Sequence, residues 1–152
     1  MISTQWFIGD GELTDAHKLR RAVFIEEQGI ACGQEFDGTD AACLHLVAYV
    51  EDAPVATGRV LVALDEFLIG RVAVLPAFRG QQLGGLVVRT LIRACFLMGG
   101  ERQTVHAQVQ ARKFYEGLGF TVCGDVYEEA GIPHITMEHI GDCETACQGK
   151  CR

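Results

Sequence analysis

Residues 77–85, which read AFRGQQLGG, place an arginine and three glycines between a predicted strand and a predicted helix. The strand is an apolar run over 68–75, and apolar residues recur at helical spacing from Leu83 onward. The first amides of a helix lack intrahelical partners, and the helix dipole adds roughly half a positive charge there. Glycines let a ligand approach such a backbone closely. The segment therefore predicts a phosphate or pyrophosphate site, with Arg79, Gly80, Gly84 and Gly85 as its first candidates.

The charge distribution favours the same kind of ligand. The stretch over 71–113 contains seven cations and one acid, Glu101, which gives 7 − 1 = +6. The whole chain carries −7, so the other residues carry −13. A basic segment in an acidic protein favours a polyanionic ligand, although solvated charges on helix faces would give the same count. The cations are Arg71, Arg79, Arg89, Arg93, Arg102, Arg112 and Lys113.

Four segments share a pattern with one protein family. The segment RGQQLG at 79–84 matches an acyl-CoA-binding motif at both ends, with Gln82 where the motif has its middle glycine. The segment QVQARKFYEGLGF at 108–120 has an amide residue, then Phe-Tyr, then Gly-Phe. VFIEEQ at 23–28 and EEAGIPHITMEH at 128–139 complete the set. In this combination, over roughly nine-tenths of its length, the chain resembles the GNAT superfamily of N-acetyltransferases and its ElaA-like branch.

The resemblance implies a binding mode for acetyl-CoA. In GNAT proteins two neighbouring strands splay, so that the pantetheine arm pairs with free backbone groups of one strand. Here that strand ends over 72–74, and the pyrophosphate would meet residues 79–85. The same resemblance implies that Gln108 and Lys113 lie near the CoA arm. The cofactor-binding residues implied are Val72, Ala73, Val74, Arg79, Gly80, Gln81, Gln82, Leu83, Gly84, Gly85, Gln108 and Lys113.

Tyr115 occupies the superfamily's proton-donor position in FYEGLGF. A phenol with a pKa near 10 is matched to a thiolate leaving group with a pKa near 8 to 9. The alternative is that Tyr115 is a core aromatic residue beside Phe114 and has no catalytic part.

The base that deprotonates the acceptor amine is less defined by the sequence. The candidates are Glu26, Glu27, Glu35, His45 and His134. We select His134 as the second catalytic residue because it follows a Gly-Ile-Pro turn and an imidazole is suited to proton transfer, although a lone histidine at a strand start is often structural. The acidic loop over 30–42 either attracts an amine or is simply solvated. The predicted substrate-binding residues are Glu26, Gln28, Glu35 and His134.

The hydrophobic periodicity predicts seven strands and three helices in one domain. The strands lie over 4–9, 44–51, 55–63, 67–75, 104–108, 120–128 and 134–140, and the helices over 16–28, 84–98 and 110–117. The predicted fold class is α/β (α+β), a GNAT-like domain with a mixed, mostly antiparallel, six- to seven-stranded sheet, splayed central strands and helices on both faces. It spans residues 1–141, followed by a cysteine-containing tail over 142–152.

Composition excludes several function classes. A net charge of −7 argues against nucleic-acid and anionic-membrane binding, and no apolar run reaches the length of a membrane span. We expect a cytoplasmic protein with reduced thiols, since the seven cysteines are odd in number and show no CxxC spacing. Cys143, Cys147 and Cys151 recur every four residues and could bind a soft metal with His139 as a further ligand, but a tail whose cysteines have no shared role is favoured, so no metal is predicted.

The sequence therefore predicts an enzyme that moves an acetyl group from acetyl-CoA to a primary amine of a small molecule or peptide, by direct attack in a ternary complex. The alternative is a non-catalytic module of the same fold that binds or senses acyl-CoA. A P-loop or Rossmann nucleotide-binding domain fits poorly, because neither GKS, GKT nor GxGxxG is present. The sequence is compatible with a homodimer and does not identify the acceptor.

Overall fold

The computed structural model describes residues 1–143, which form eight strands and four α-helices around one mixed sheet. The strands are β1 Ile2–Ile8, β2 Cys43–Val50, β3 Ala53–Ala63, β4 Glu66–Val74, β5 Arg102–Gln108, β6 Thr121–Val122, β7 Tyr127–Glu129 and β8 Ile132–Ile140. The helices are α1 Thr14–Arg20, α2 Cys32–Glu35, α3 Leu83–Leu97 and α4 Arg112–Gly117. The sheet order is β1-β2-β3-β4-β5-β8-β6, with β7 also paired to β8. All pairings are antiparallel except β4 with β5.

Helices cover both faces of the sheet, as predicted. On one face α3 buries Val87, Leu91 and Cys95, whose spacing of four residues forms a continuous apolar stripe. On the other face Leu19 of α1 packs against Val47 of β2. No helix within residues 1–143 combines the length and the apolar character needed to span a bilayer.

The parallel pairing of β4 with β5 is short. It joins Phe67 to Ile69 of β4 with Gln103 to Val105 of β5, although both strands continue beyond these residues. A bulge accompanies the separation: Arg71 has a positive φ of 51°, and the β3–β4 register shifts there. The predicted splay of the central strands is confirmed, and the splay leaves the facing backbone groups of β4 and β5 unpaired with each other.

The final hairpin differs from the prediction. The expected single strand over 120–128 is wrong, because the chain forms β6 and β7 separately, and each pairs with a different part of β8. Gly124 lies between them with φ 125°, a conformation that breaks an extended strand. The sheet therefore has eight strands rather than six to seven.

The predicted helix over 16–28 changes its winding midway. After α1 the chain continues as a π-helical segment, Arg21–Glu27, and the amide of Gln28 bonds the carbonyl of Val23. The loop expected over 30–42 contains α2 and a 3-10 turn, Thr39–Ala42. Single π-turns often accompany functional sites, since they re-aim the residues that follow.

A buried ionic network attaches α1 to this loop. The Arg20 side chain is 1% exposed. Its Nε donates to Glu35 Oε2 at 2.7 Å and its Nη1 to Asp40 Oδ1 at 2.8 Å. Arg59 of β3 donates to the same Asp40 oxygen at 2.8 Å, and His17 lies 2.9 Å from the other oxygen. Removing one member of such a cluster leaves a buried charge without its partner, which is strongly destabilising.

The network makes stability depend on pH. Burial alone raises the pKa of Asp40, but hydrogen bonds from Arg20, Arg59 and His17 lower it well below its ordinary value. A lowered native pKa adds stability that is present above the unfolded pKa of about 4 and lost as pH falls below it.

We expect Asp40→Asn to lower the free energy of unfolding by roughly 3 kcal/mol at pH 7. Urea unfolding between pH 7 and pH 3 should show the gap from wild type narrowing below about pH 4. A gap that stays constant would contradict the assignment.

The packing of α3 on β3 gives a second prediction. A Cβ on Gly58 would lie 2.7 Å from Leu91 Cδ1 and 2.8 Å from Val87 Cγ1, whereas a Cβ on Gly70 would meet nothing within 4 Å. Gly58→Ala should therefore cost about 1–3 kcal/mol through overpacking. Gly70→Ala serves as the matched control, with an expected change below about 0.5 kcal/mol. Urea unfolding of the two variants measures the difference, and equal stabilities would refute the close approach of α3.

Candidate active site

The splayed strands open into a cavity of about 850 Å³. Its walls come from the separated parts of β4 and β5, the turn before α3, the start of α4 and the β7–β8 hairpin. The predicted site residues that line it are Val72, Ala73, Val74, Arg79, Gly80, Gln82, Leu83, Gly84, Gly85, Gln108, Tyr115, His134, Gln28 and Glu35. Gln81, Lys113 and Glu26 are exposed and do not line it.

The turn before α3 presents backbone amides to the cavity. The helix begins at Leu83, and the amide of Leu86 bonds the carbonyl of Gln82 at 3.0 Å. The amides before it lack a carbonyl within the helix, as at every helix start. Gly84 brings the helix close to α4, since a Cβ there would lie 3.2 Å from Phe114 Cζ. The start of α3 can therefore donate several hydrogen bonds to an anion.

Gln82 is the departure from the motif, and the structure shows its conformation. It precedes α3 with φ 65° and ψ 16°, in the left-handed region that glycine adopts without strain. The glutamine therefore preserves the turn that a glycine would make, at a cost of about 1 kcal/mol.

Arg79 lies at the edge of the cavity in a bidentate ion pair. Its two terminal nitrogens donate to the Glu27 carboxylate at 2.7 and 2.8 Å, and its Nε donates to the Val74 carbonyl at 3.0 Å. The hydrogen bonds from Arg79 lower the pKa of Glu27. A phosphate that binds Arg79 through the same nitrogens must take the place of this carboxylate.

Tyr115 of α4 is 7% exposed and packs edge-on against Phe114 and Phe120, with ring centroids 5.0 and 5.4 Å away. Its hydroxyl makes no hydrogen bond within residues 1–143, and the residue lines the cavity. Burial raises the pKa of Tyr115 above its ordinary value. The phenol is thus held in position by its ring and remains protonated near neutral pH.

His134 is oriented by its own hairpin. Its Nδ1 bonds the Ile132 carbonyl at 2.7 Å, so Nδ1 carries the proton and Nε2 has a free lone pair when the ring is neutral. Nε2 lies 3.7 Å from Glu129 Oε2, and the ring stacks on Tyr127 at 6.0 Å. An imidazolium at this position would have Glu129 as its counter-ion.

The remaining predicted acceptor residues are already paired. Glu35 is 2% exposed and lies 3.2 Å from Arg71 Nε as well as bonding Arg20. Burial raises the pKa of Glu35, and the two arginines oppose that rise. Gln28 accepts a hydrogen bond of 2.7 Å from Gln108, which links the π-helical segment to the end of β5. Of the other base candidates, His45 is 1% exposed and is not a cavity residue.

Four charged residues that line the cavity were not among the predicted site residues: Asp37, Arg59, Arg71 and Glu129. Glu129 could have been found from the two-residue turn at Ala130-Gly131, because such a hairpin places residue 129 diagonally opposite residue 134. Arg59 left no such signal, since a single arginine in a strand usually lies on a solvated face.

The tail adds nothing to this site that the structure describes. Cys147 and Cys151 lie outside the described residues. His139 is 1% exposed, and its Nδ1 lies 2.6 Å from Gln103 Oε1 inside the sheet. Up to residue 143, no three His, Cys, Asp or Glu side chains group in a way that could hold a metal ion.

Comparisons with known proteins agree with this geometry. The sequence pattern of the acetyltransferase (GNAT) domain matches residues 20–140. YyaT of Bacillus subtilis is 35% identical over 131 residues, which cover 84% of this chain and 88% of the relative. The protein ElaA of Escherichia coli is 35% identical over 126 residues, which cover 79% of this chain and 82% of that protein.

Solved structures give the same result. The crystal structure of Escherichia coli ElaA matches with a TM-score of 0.81 and 32% identity, covering 91% of this chain and 99% of that one. An acyl-CoA N-acyltransferase from Pseudomonas aeruginosa matches with a TM-score of 0.80 and 28% identity, covering 91% and 99%.

The fold, with its mixed sheet that opens between two parallel strands, is thus similar to that of an acyl-CoA N-acyltransferase. The chain belongs to the GNAT acetyltransferase family and, within it, to the ElaA-like branch. It is an N-acetyltransferase that uses an acyl-CoA and an amine acceptor.

The left-handed residue before α3 yields a prediction. Gln82→Gly should raise the free energy of unfolding by up to about 1 kcal/mol, because glycine adopts φ 65° without strain. Gly80→Ala is the matched opposite: Gly80 has φ 79° and no atom near its Cβ position, so only strain is added and stability should fall by about 1 kcal/mol. Thermal and urea unfolding check both signs, and a destabilised Gln82→Gly would mean that the glutamine side chain stabilises the turn.

Proposed function

We propose that the protein transfers an acetyl group from acetyl-CoA to a primary amine of a small molecule or peptide, by direct attack of the amine in a ternary complex. The observation that carries this proposal is the shared cavity of Tyr115 and His134. A buried, unpartnered phenol and an imidazole with a free Nε2 both line it, and these groups can serve as the acid and the base that the reaction needs.

Backbone groups without a strand partner support the proposal that one end of the cavity binds acyl-CoA. Beyond Ile69 the edge of β4 that faces β5 has no strand partner, so residues 72–74 are free to pair with the amides of a pantetheine arm. The pyrophosphate would lie against the first amides of α3. It would also replace the Glu27 carboxylate as the ion-pair partner of Arg79. Gln81 and Lys113, being exposed outside the cavity, could reach only the outer part of such a ligand.

The proposed reaction balances in one addition and one elimination. The amine nitrogen attacks the thioester carbonyl, a C–N bond forms, and the C–S bond breaks to release the CoA thiolate. The Tyr115 hydroxyl protonates this thiolate, and because burial raises its pKa the phenol is in the protonated form before the reaction. His134 Nε2 accepts the proton that the amine loses, and Glu129 stabilises the resulting imidazolium.

Initial-rate assays of CoA release with acetyl-CoA and a panel of primary amines test the proposal. Tyr115→Phe keeps the ring packing and removes only the hydroxyl, so kcat should fall about 10²- to 10⁴-fold while the Kd for acetyl-CoA changes less than about twofold. His134→Gln should lower kcat/KM, because the variant lacks the ring nitrogen proposed to accept the proton of the amine.

Two outcomes would contradict the proposal. If Tyr115→Phe retains full kcat, the proton of the thiolate comes from another donor. If the protein binds acetyl-CoA but turns over with none of the amines, a binding or sensing role of the same cavity becomes the better interpretation. Calorimetric titration with acetyl-CoA separates these outcomes, because it measures binding without turnover.

A further inference from the structure

Arg59 is a buried cation with most of its donors unused. Its side chain is 9% exposed, and its single hydrogen bond runs from Nη1 to Asp40 Oδ1 at 2.8 Å. That oxygen is shared with Arg20, whose Nη1 also lies 2.8 Å away. A guanidinium has five N–H donors. Among residues 1–143, Nε and Nη2 of Arg59 have no hydrogen-bond partner, and Arg59 lines the cavity. A guanidinium edge with two free donors can bind a carboxylate through two parallel hydrogen bonds.

The charges around Arg59 do not supply that anion. The buried cations of the cluster are Arg20 and Arg59, and its buried carboxylates are Glu35 and Asp40, whereas Arg71 is 27% exposed. A third carboxylate, Asp37, is 42% exposed and lies 3.7 Å from Arg71 rather than at Arg59. Neither buried carboxylate hydrogen-bonds the Nε–Nη2 edge of Arg59. The two buried cations and the two buried carboxylates balance in charge, so a ligand carboxylate would bind here through the unused donors of Arg59 and not through an excess of charge.

Space for an anion exists directly beside Arg59. Gly70 of β4 is its cross-strand neighbour, and a Cβ at Gly70 would meet no atom within 4 Å. The pair toward the hairpin is Leu61 with Leu68, and both leucines line the same cavity. Alternation along each strand places all four residues on one face of the sheet. The patch therefore offers the guanidinium donors of Arg59, an open gap at Gly70 and the apolar side chains of Leu61 and Leu68.

We propose that this patch binds the acceptor, and that the acceptor is a free α-amino acid with an apolar side chain. The carboxylate pairs with the Nε–Nη2 edge of Arg59 over Gly70, and the side chain packs on Leu61 and Leu68. The inference rests on the proposed function and names its substrate class. Gly70 directly precedes Arg71, where β4 leaves its regular pairing, so an amino acid held here lies next to the strand proposed to bind the acyl arm.

Binding measurements test the patch without requiring turnover. L-leucine and L-leucinamide are titrated into the protein by calorimetry, with and without saturating CoA. The two probes share the amine and the side chain and differ in the carboxylate, and a site built for that group rejects the analogue that lacks it. Leucine should bind at least tenfold more tightly. Equal affinities would overturn the proposal, and so would tighter binding of the dipeptide Leu-Gly, whose carboxylate lies one residue further away.

A pair of variants assigns the effect to Arg59 without removing any member of the ionic network. Gly70→Asp places a carboxylate in the open gap beside Arg59, whereas Gly70→Asn fills the gap with a neutral side chain of the same size. Leucine affinity should fall at least tenfold further in Gly70→Asp than in Gly70→Asn, while leucinamide should respond equally to both. Equal losses of leucine affinity in the two variants would show that Arg59 does not bind the carboxylate.

Turnover then separates this inference from the proposed function. Acetylation of leucine with kcat/KM at least 100-fold above that of leucinamide supports both. Acetylation of amines regardless of a carboxylate would leave the acetyltransferase assignment intact and overturn the acceptor class. Tight leucine binding without acetylation would uphold the patch as an amino-acid site and refute the reaction.

Discussion

The molecule depends on a backbone hydrogen-bonding constraint: the parallel pairing of β4 and β5 lasts only three residues. Every buried N–H and C=O needs a partner, so strands that diverge inside a domain leave groups that only water or a ligand can satisfy. The bulge at Arg71, the turn at Gln82 and the short helix α4 all border this opening. The cavity is therefore a direct result of how the sheet is paired, with side chains only lining it.

The two ends of the cavity differ in their electrostatics. At one end the start of α3 offers backbone amides and one surface arginine, an arrangement that favours an anion through dipoles rather than through buried charge. At the other end the network around Arg20 and Asp40 holds full charges away from solvent. Charges in such surroundings keep fixed positions, because each is bonded to several others. One end is thus adaptable and the other rigid.

The sequence was most informative where local pattern decides structure. The strand, turn and helix around residues 68–97, and the hairpin turn before His134, follow from periodicity and turn chemistry. Register and tertiary contacts decided the rest. Glu35 lay in an acidic loop that could have been solvated, yet it is buried and makes four long-range contacts with arginines. Arg59 is similar, because its environment depends on where α1 and the loop over 30–42 pack. The single strand predicted over 120–128 does not form, because the φ angle of Gly124 interrupts the extended backbone. Composition does not reveal that angle.

The ion pair between Glu27 and Arg79 changes how ligand binding should be understood. A pyrophosphate that takes Arg79 does not create a new ion pair at that residue, since it replaces a carboxylate already there. The interaction is an exchange of anions, and the released carboxylate returns to water. Added salt screens the pair that is lost as well as the pair that is gained, so Arg79 should contribute less to the ionic-strength dependence of binding than its charge alone would suggest. Glu27 directly precedes Gln28, whose side chain bonds Gln108, so the exchanged ion pair adjoins the hydrogen bond that joins the π-helical segment to the end of β5.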